Sequence, residues 1–286
     1  MILGLAAALT AAGLYGVAAV LQAAGAREVD RVSGLDPRLL LRILRRPTAV
    51  VALGLMLLGF LLHLLSVRLV PLFLAQAGIA VSLVVTALLA VVRFGERLSR
   101  TEWVAVTSVF AGLVLLASSA GDVGTGGAGR LPAVLFAGIA LIALLGWVAS
   151  RRRGPLSTAA LGLLAGFGYA VVGVSARLLP DFSPVHLLRS PATYSLAVGG
   201  ALAFLLYSLA LQRGAVTLAT TPMIVTQTVT PAVVGVWLLG DGVRPGWAAV
   251  AAVGFVVTVV AASALVRFEG AHQGHPAEAA PHPTNG

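Results

Sequence analysis

The chain has 286 residues, of which 59% are hydrophobic and 10% are charged, and its mean hydropathy is +1.00. Soluble domains carry about a quarter charged residues, so this composition excludes a soluble globular protein and indicates an integral membrane protein embedded in the lipid bilayer. The net charge is +9 and all 19 basic residues are arginine, but they lie at the ends of apolar segments, which indicates membrane orientation rather than nucleic-acid binding.

Apolar segments long enough to cross a bilayer recur along the chain. A hydrocarbon core of about 30 Å needs roughly 20 apolar residues per helix, so we predict an all-α fold with about nine transmembrane helices. In chain order these span residues 2–24, 48–67, 70–92, 103–120, 132–150, 158–178, 191–212, 215–239 and 247–267. The basic loop at 26–47 is predicted to contain a short interfacial amphipathic helix, and the polar tail at 268–286 is predicted to be disordered.

The arginines predict the orientation of these helices. The loops after the odd-numbered helices, together with the C-terminal tail, carry 14 arginines, whereas the other loops carry 5. Because cytoplasmic loops are enriched in basic residues, we expect a multi-pass cell-membrane protein with its N-terminus outside and its C-terminus in the cytoplasm.

The two halves of the chain resemble each other. Residues 64–96 align without a gap to residues 209–241, and residues 12–23 align to residues 165–176. The aligned pairs at the ends of the longer match are Arg68 with Arg213, Gly95 with Gly240 and Glu96 with Asp241. In the predicted topology the matched helices run in opposite directions, which is typical of the inverted repeats of secondary transporters. The predicted divisions are a first four-helix repeat at 1–120, a linking fifth helix and basic loop at 121–157, a second four-helix repeat at 158–267, and the tail at 268–286.

The segment GFLLHLLSVRLVPLFLAQAGIAVSLVVTALLAVVRFGERLSRTEWVAVTSVFAGLVLLASS at 59–119 resembles the drug/metabolite transporter superfamily, in its EamA-like group. The residues Gly95, Glu96, Arg97 and Leu98 match the Gly-Glu-Arg-Leu turn of that family, and Gly112 matches a later glycine. The second copy is looser, with Asp241 and Gly254 at the corresponding positions. Nine helices and an outside N-terminus are most similar to the NIPA-type branch, whose members are described as magnesium transporters. The resemblance therefore implies transport, with Mg²⁺ as one expected substrate.

The chain departs from the NIPA-type pattern where ligands for Mg²⁺ are expected. Gly59 and Pro71 keep the spacing of that pattern, but Phe60 and His63 stand where it has glutamate and asparagine. Mg²⁺ prefers oxygen ligands that usually include carboxylates, and all ten acidic residues lie in loops, at helix ends or in the tail. The sequence therefore assigns no metal ligands.

The stretch TPMIVTQTVTP at 221–231 places polar residues and two prolines inside the eighth predicted helix. Threonine hydroxyls can bond to the preceding turn of their own helix, but the Gln227 amide cannot be satisfied in that way. We therefore predict that this helix lines a cavity and breaks locally between Pro222 and Pro231. The cavity-lining residues predicted here are Thr220, Gln227, Thr228 and Pro231.

Further polar residues lie at comparable depths in the related helices. The third predicted helix and the pair formed by the first and sixth contribute candidate substrate-binding residues, namely Gln76, Ser82, Thr86, Tyr15, Gln22, Tyr169 and Ser175. His63 is a candidate for protonation, because intramembrane ionisable groups tend to be functional. Glu96 and Asp241 are interpreted as gating or turn residues.

These features leave three hypotheses open. The first is a secondary transporter or facilitator of a small solute that works by alternating access; the second is a transporter of Mg²⁺ or another divalent cation; the third is a flippase-like or non-transporting membrane subunit. We expect no cofactor and no enzymatic activity, because the sequence has no phosphate-binding loop and pairs no nucleophile with a base. The expected partners are the bilayer and a small molecule or ion, and a homodimer is left open.

Overall fold

The structure is a computed structural model that describes residues 1–27, 47–94, 99–124, 129–180, 183–214 and 216–273. The predicted amphipathic helix of the basic loop, Glu96 and most of the C-terminal tail lie outside the described residues. Within that part of the chain, the fold consists of helices, with an isolated antiparallel β-bridge between Ala120 and Val243.

The described helices follow the predicted apolar segments closely. In chain order they are α1 (Ile2–Arg27), α2 (Pro47–Leu69), α3 (Leu72–Ile79), α4 (Val81–Phe94), α5 (Arg100–Ser119), α6 (Leu131–Ser150), α7 (Pro155–Leu178), α8 (Pro184–Arg189), α9 (Pro191–Arg213), α10 (Val216–Trp237) and α11 (Ala248–Gln273). The last helix continues into the segment that was predicted to be disordered from residue 268.

Six of the described helices are long and apolar enough to cross a membrane, namely α2, α5, α6, α7, α9 and α11. Shorter apolar stretches occur at Ile2–Ala18 and Leu72–Val85. The described chain is therefore all-helical, with the long apolar helices of a polytopic membrane protein.

The position of the helix interruption differs from the sequence prediction. The break expected between Pro222 and Pro231 is wrong, because α10 runs continuously through both prolines. Each proline removes one backbone bond, from the Leu218 carbonyl in the case of Pro222 and from the Gln227 carbonyl in the case of Pro231, yet the helix continues through both positions. The interruption lies instead in the third predicted segment, at Ala80, where α3 ends and α4 begins.

The helices pack through small residues. The helix α7 lies against α6, α9 and α10, while α1 lies against α2, α3 and α4, and α5 lies against α11. Residues 72–78 of α3 are all buried, because this short helix is enclosed between α1, α5, α10 and α11. A Cβ atom at Gly162 or Gly166 would overlap the backbone of α10, so glycine at these positions permits the close approach of α7 and α10.

Candidate functional site

The helices α7 and α10 run side by side in the same direction. Gly162 faces Ala219 and Gly166 faces Met223, so residue numbers rise together along the two helices. Further along, a Cβ atom at Gly173 would lie 3.7 Å from the Cβ atom of Pro231.

Two predicted cavity residues share one level of this helix pair. Tyr169 lies one turn before Gly173 on α7, and Gln227 lies one turn before Pro231 on α10. Tyr169 and Gln227 therefore lie at the same depth on neighbouring helices, and both are half-buried.

Gln76 enters the same region from α3. Its side chain is 3% exposed, and its amide nitrogen occupies the space that a side chain on Gly173 would need. Within the described part of the chain, no hydrogen bond is made by the side chains of Gln76 and Gln227. Gln76 is buried and Gln227 is half-buried. A buried amide without a partner costs about 1–3 kcal/mol, so Gln76 indicates a place where a ligand or water supplies the missing bonds.

Tyrosines extend the site away from the glutamines. The Tyr15 ring packs on α2 at Gly59, where an added Cβ atom would lie 3.0 Å from its Cε1 atom. Tyr207 shares a 2.7 Å hydrogen bond with the Thr220 hydroxyl, which joins α9 to α10. Tyr207 did not figure in the sequence prediction, because nothing local distinguishes it from an interfacial tyrosine.

Other predicted site residues lie elsewhere or are satisfied locally. Thr228 donates to the Ile224 carbonyl of its own helix at 2.7 Å, so its hydroxyl is not free for a ligand. Ser175 shares a 2.7 Å bond with Ser195 that joins α7 to α9.

Two further predicted residues have different surroundings, and two lie outside the described side chains. Ser82 is half-buried on α4, and its backbone carbonyl faces Gly16 of α1. His63 is buried on α2, and its Nδ1 atom has no hydrogen-bond partner within the described chain. Gln22 and Thr86 belong to α1 and α4 but lie outside the side chains that the structure describes.

A buried ion pair in the second half of the chain bonds to the backbone of the first half at one end of the bundle. Arg177, in the last turn of α7, donates to Asp241 Oδ1 at 2.6 Å, and their side chains are 7% and 0% exposed. The other oxygen of Asp241 accepts from the Leu72 backbone N–H at 2.6 Å, and Oδ1 also accepts from the Gly124 N–H at 2.9 Å. Arg177 additionally donates to the carbonyls of Val70 and Gly124. We call these two side chains the Arg177–Asp241 latch.

Backbone bonds reinforce the same end. Gly121 donates to the Gly242 carbonyl at 3.1 Å, Gly242 donates to the Asp122 carbonyl at 2.8 Å, and Arg244 donates to the Ser119 carbonyl at 2.9 Å. These three backbone hydrogen bonds join the loops after α5 and α10 beside the latch.

Arg68 and Arg213, which align with each other in the sequence, occupy opposite ends of the bundle. Arg68 donates to the Leu179 carbonyl at 2.9 Å and to the Pro180 carbonyl, on the latch side. Arg213 donates to the Ser150 carbonyl at 2.6 Å, at the end where α6 finishes and α7 begins.

The centre of the site carries no formal charge. The carboxylates with described side chains are Glu102, Asp122 and Asp241, which lie in the first turn of α5 and in two loops. No group of at least three His, Cys, Asp or Glu residues that could hold a metal ion occurs in the described chain. Burying an unpaired ion costs several kcal/mol, whereas cation–π attraction supplies only about 2 kcal/mol when desolvated, so the site favours uncharged ligands.

No family model, curated protein or solved structure matches this chain. Folds of this kind host many functions, so function has to be argued from the site itself. The features that bear on function are Gln76 and Gln227, which have no hydrogen-bond partners in the described chain, and the Arg177–Asp241 latch at one end of the bundle.

Proposed function

We propose that the protein is a secondary transporter or facilitator of a small solute that works by alternating access in the cell membrane, and that it is a member of the drug/metabolite transporter superfamily. The observation that carries this proposal is the buried amide of Gln76, with the half-buried Gln227 on the neighbouring helix α10, and neither side chain has a hydrogen-bond partner in the described chain. Interior polar groups at an interface between two halves are typical of transporter binding sites.

The proposed topology has nine transmembrane helices in two inverted repeats of four, linked by α6. The helices α3 and α4 together form the third crossing, and α8 lies in a loop. Packing supports the repeat, because α1 with α2 corresponds to α7 with α9, and both pairs are in extensive contact. The repeat-related helices α3 and α10 also meet, as do α5 and α11. Such contacts are expected of equivalent helices beside a pseudo-two-fold axis.

The proposed orientation places the latch on the outside of the membrane. The loops that carry it follow even-numbered crossings, which have few arginines. In this account the structure represents a state closed to the outside, and the solute is released or taken up from the cytoplasmic side. Opening the outer end requires that Arg177 and Asp241 separate and that the loops after α5 and α10 come apart.

A reversible disulfide across the outer end tests this proposal. Ala120 and Val243 are β-bridge partners, and Cα atoms in antiparallel pairs lie about 4.5–5.5 Å apart, within the range of roughly 4.4–6.8 Å that a disulfide spans. The chain has no cysteine of its own, so the double variant Ala120→Cys with Val243→Cys contains a unique pair. Oxidation should stop solute flux in proteoliposomes, and reduction should restore it.

The flux panel consists of uracil, tetraethylammonium, D-glucose and Mg²⁺, and each single-cysteine variant serves as the control for the oxidant. Solute flux that continues at the same rate through the oxidised double variant would contradict alternating access. Scrambling of labelled phospholipid without solute flux would instead support the flippase-like reading.

A further inference from the structure

The ligand chemistry of the site follows from its glutamines. Each amide offers one carbonyl acceptor and two N–H donors on a planar group. Pro231 has no N–H to donate to the backbone carbonyl of Gln227 one turn earlier, which adds an acceptor beside that side chain. A ligand that carries an adjacent donor and acceptor on one edge can satisfy such an amide with two parallel bonds.

The rest of the lining restricts the charge and shape of that ligand. The carboxylates whose side chains are described lie at the bundle ends, and the described arginines near the site are engaged at those ends with carbonyls or Asp241. A cation or an anion in the centre would thus lose its hydration shell without gaining a counter-charge. Tyr169, at the depth of Gln227, carries an aromatic ring, and such a ring suits stacking against a planar group.

We infer that the site between Gln76, Gln227 and Tyr169 binds an uncharged, planar solute with an amide or lactam edge. This inference rests on the proposed transport function, because it names the substrate class of the same site. The glutamines satisfy the polar edge, and Tyr169 covers the ring. The same chemistry disfavours Mg²⁺, organic cations and acidic metabolites.

Equilibrium binding to the purified full-length protein tests the inference. The probes are uracil, nicotinamide and benzamide, which are uncharged and planar, compared with tetraethylammonium, Mg²⁺ and the non-planar polyol D-glucose. At least one planar probe should bind saturably. Gln76→Leu and Gln227→Leu should each weaken that binding roughly 10-fold, as expected for the loss of paired hydrogen bonds.

Matched variants separate a binding effect from a folding defect. Gln212 on α9 also has a buried amide oxygen without a partner in the described chain, so Gln212→Leu makes the same replacement away from the glutamine pair and should leave binding within about twofold. Tyr169→Phe keeps the ring and should retain most binding, whereas Tyr169→Leu should lose it.

Three outcomes would overturn the inference. In the first, tetraethylammonium, Mg²⁺ or D-glucose binds in place of the planar probes. In the second, a planar probe binds with the same affinity after both glutamine substitutions. In the third, none of the planar probes binds. The disulfide across Ala120 and Val243 separates these failures from failure of the proposed function. If another probe is transported and its flux stops on oxidation, alternating access is supported and the proposed substrate class is rejected. If uracil binding depends on the glutamines but flux continues through the oxidised protein, the substrate class is supported and alternating access is rejected.

Discussion

Replacing Asp241 by asparagine should open the outer end of the protein. The carboxylate accepts three hydrogen bonds in the closed state, from Arg177, Leu72 and Gly124. Asparagine keeps one oxygen and presents an NH₂ group to donors that need an acceptor. It also leaves the guanidinium of Arg177 buried without its counter-charge.

The expected size of the effect follows from the burial of the pair. Removing one partner of a buried ion pair costs about 3–5 kcal/mol. In an open outer end both groups would be hydrated, so most of this cost falls on the closed state. Taking the lower figure of about 3 kcal/mol, the ratio of open to closed molecules should rise roughly 100-fold, since about 1.4 kcal/mol corresponds to a factor of ten.

A single cysteine behind the latch measures this shift. Val70 is fully buried next to the latch, and its carbonyl accepts from Arg177. In proteoliposomes, a membrane-impermeant maleimide added outside should label Val70→Cys slowly, and Asp241→Asn should accelerate the labelling by one to two orders of magnitude.

The matched control makes the same exchange at a neighbouring carboxylate. Asp122 has an exposed side chain, and only its backbone carbonyl joins the outer loops. Asp122→Asn should therefore leave the labelling rate of Val70→Cys unchanged. An Asp241→Asn protein that is folded by size-exclusion chromatography and labels no faster than its parent would refute the role of the latch.

Two further substitutions test the packing and the assignment of the threonines. Gly162→Ala should destabilise the protein by about 2 kcal/mol or more in detergent unfolding, because its Cβ atom overlaps the backbone of α10 at Ala219; Gly138→Ala, where the structure shows open space, should be neutral or stabilise by up to about 1 kcal/mol. Thr228→Val should leave flux of the transported probe within about twofold, because its hydroxyl is satisfied by Ile224 of its own helix. Strong loss of flux in Thr228→Val with normal unfolding would instead place this hydroxyl in the binding site.

Helix positions could be predicted from the sequence because a long apolar segment is stable only in a membrane or in a buried core. The extent of α7 and α9 follows from run length, and the arginines at their ends limit the segments. The internal geometry was harder to predict. Prolines suggested a break in α10, but that helix is continuous, and the interruption at Ala80 has no proline to signal it.

Part of the candidate site was also predictable. Gln76 and Gln227 were candidates because an amide inside an apolar segment needs a partner. Their approach to a common region could not be derived, since it depends on how α3 inserts between other helices. The gating or turn role of Asp241 stays a prediction, and nothing in the sequence pairs this residue with Arg177. Their pairing across distant parts of the chain is a property of the packed fold.

The most direct test of alternating access compares cysteine labelling at the two ends of the pathway. Val70→Cys reports the outer end, and Gln227→Cys, at a half-buried position in the candidate site, reports access to that site from the cytoplasmic side. We predict reciprocal rates: Asp241→Asn should accelerate outside labelling of Val70→Cys and slow inside labelling of Gln227→Cys. If both rates rise together, or if neither changes, the two ends do not open in alternation and the central claim is contradicted.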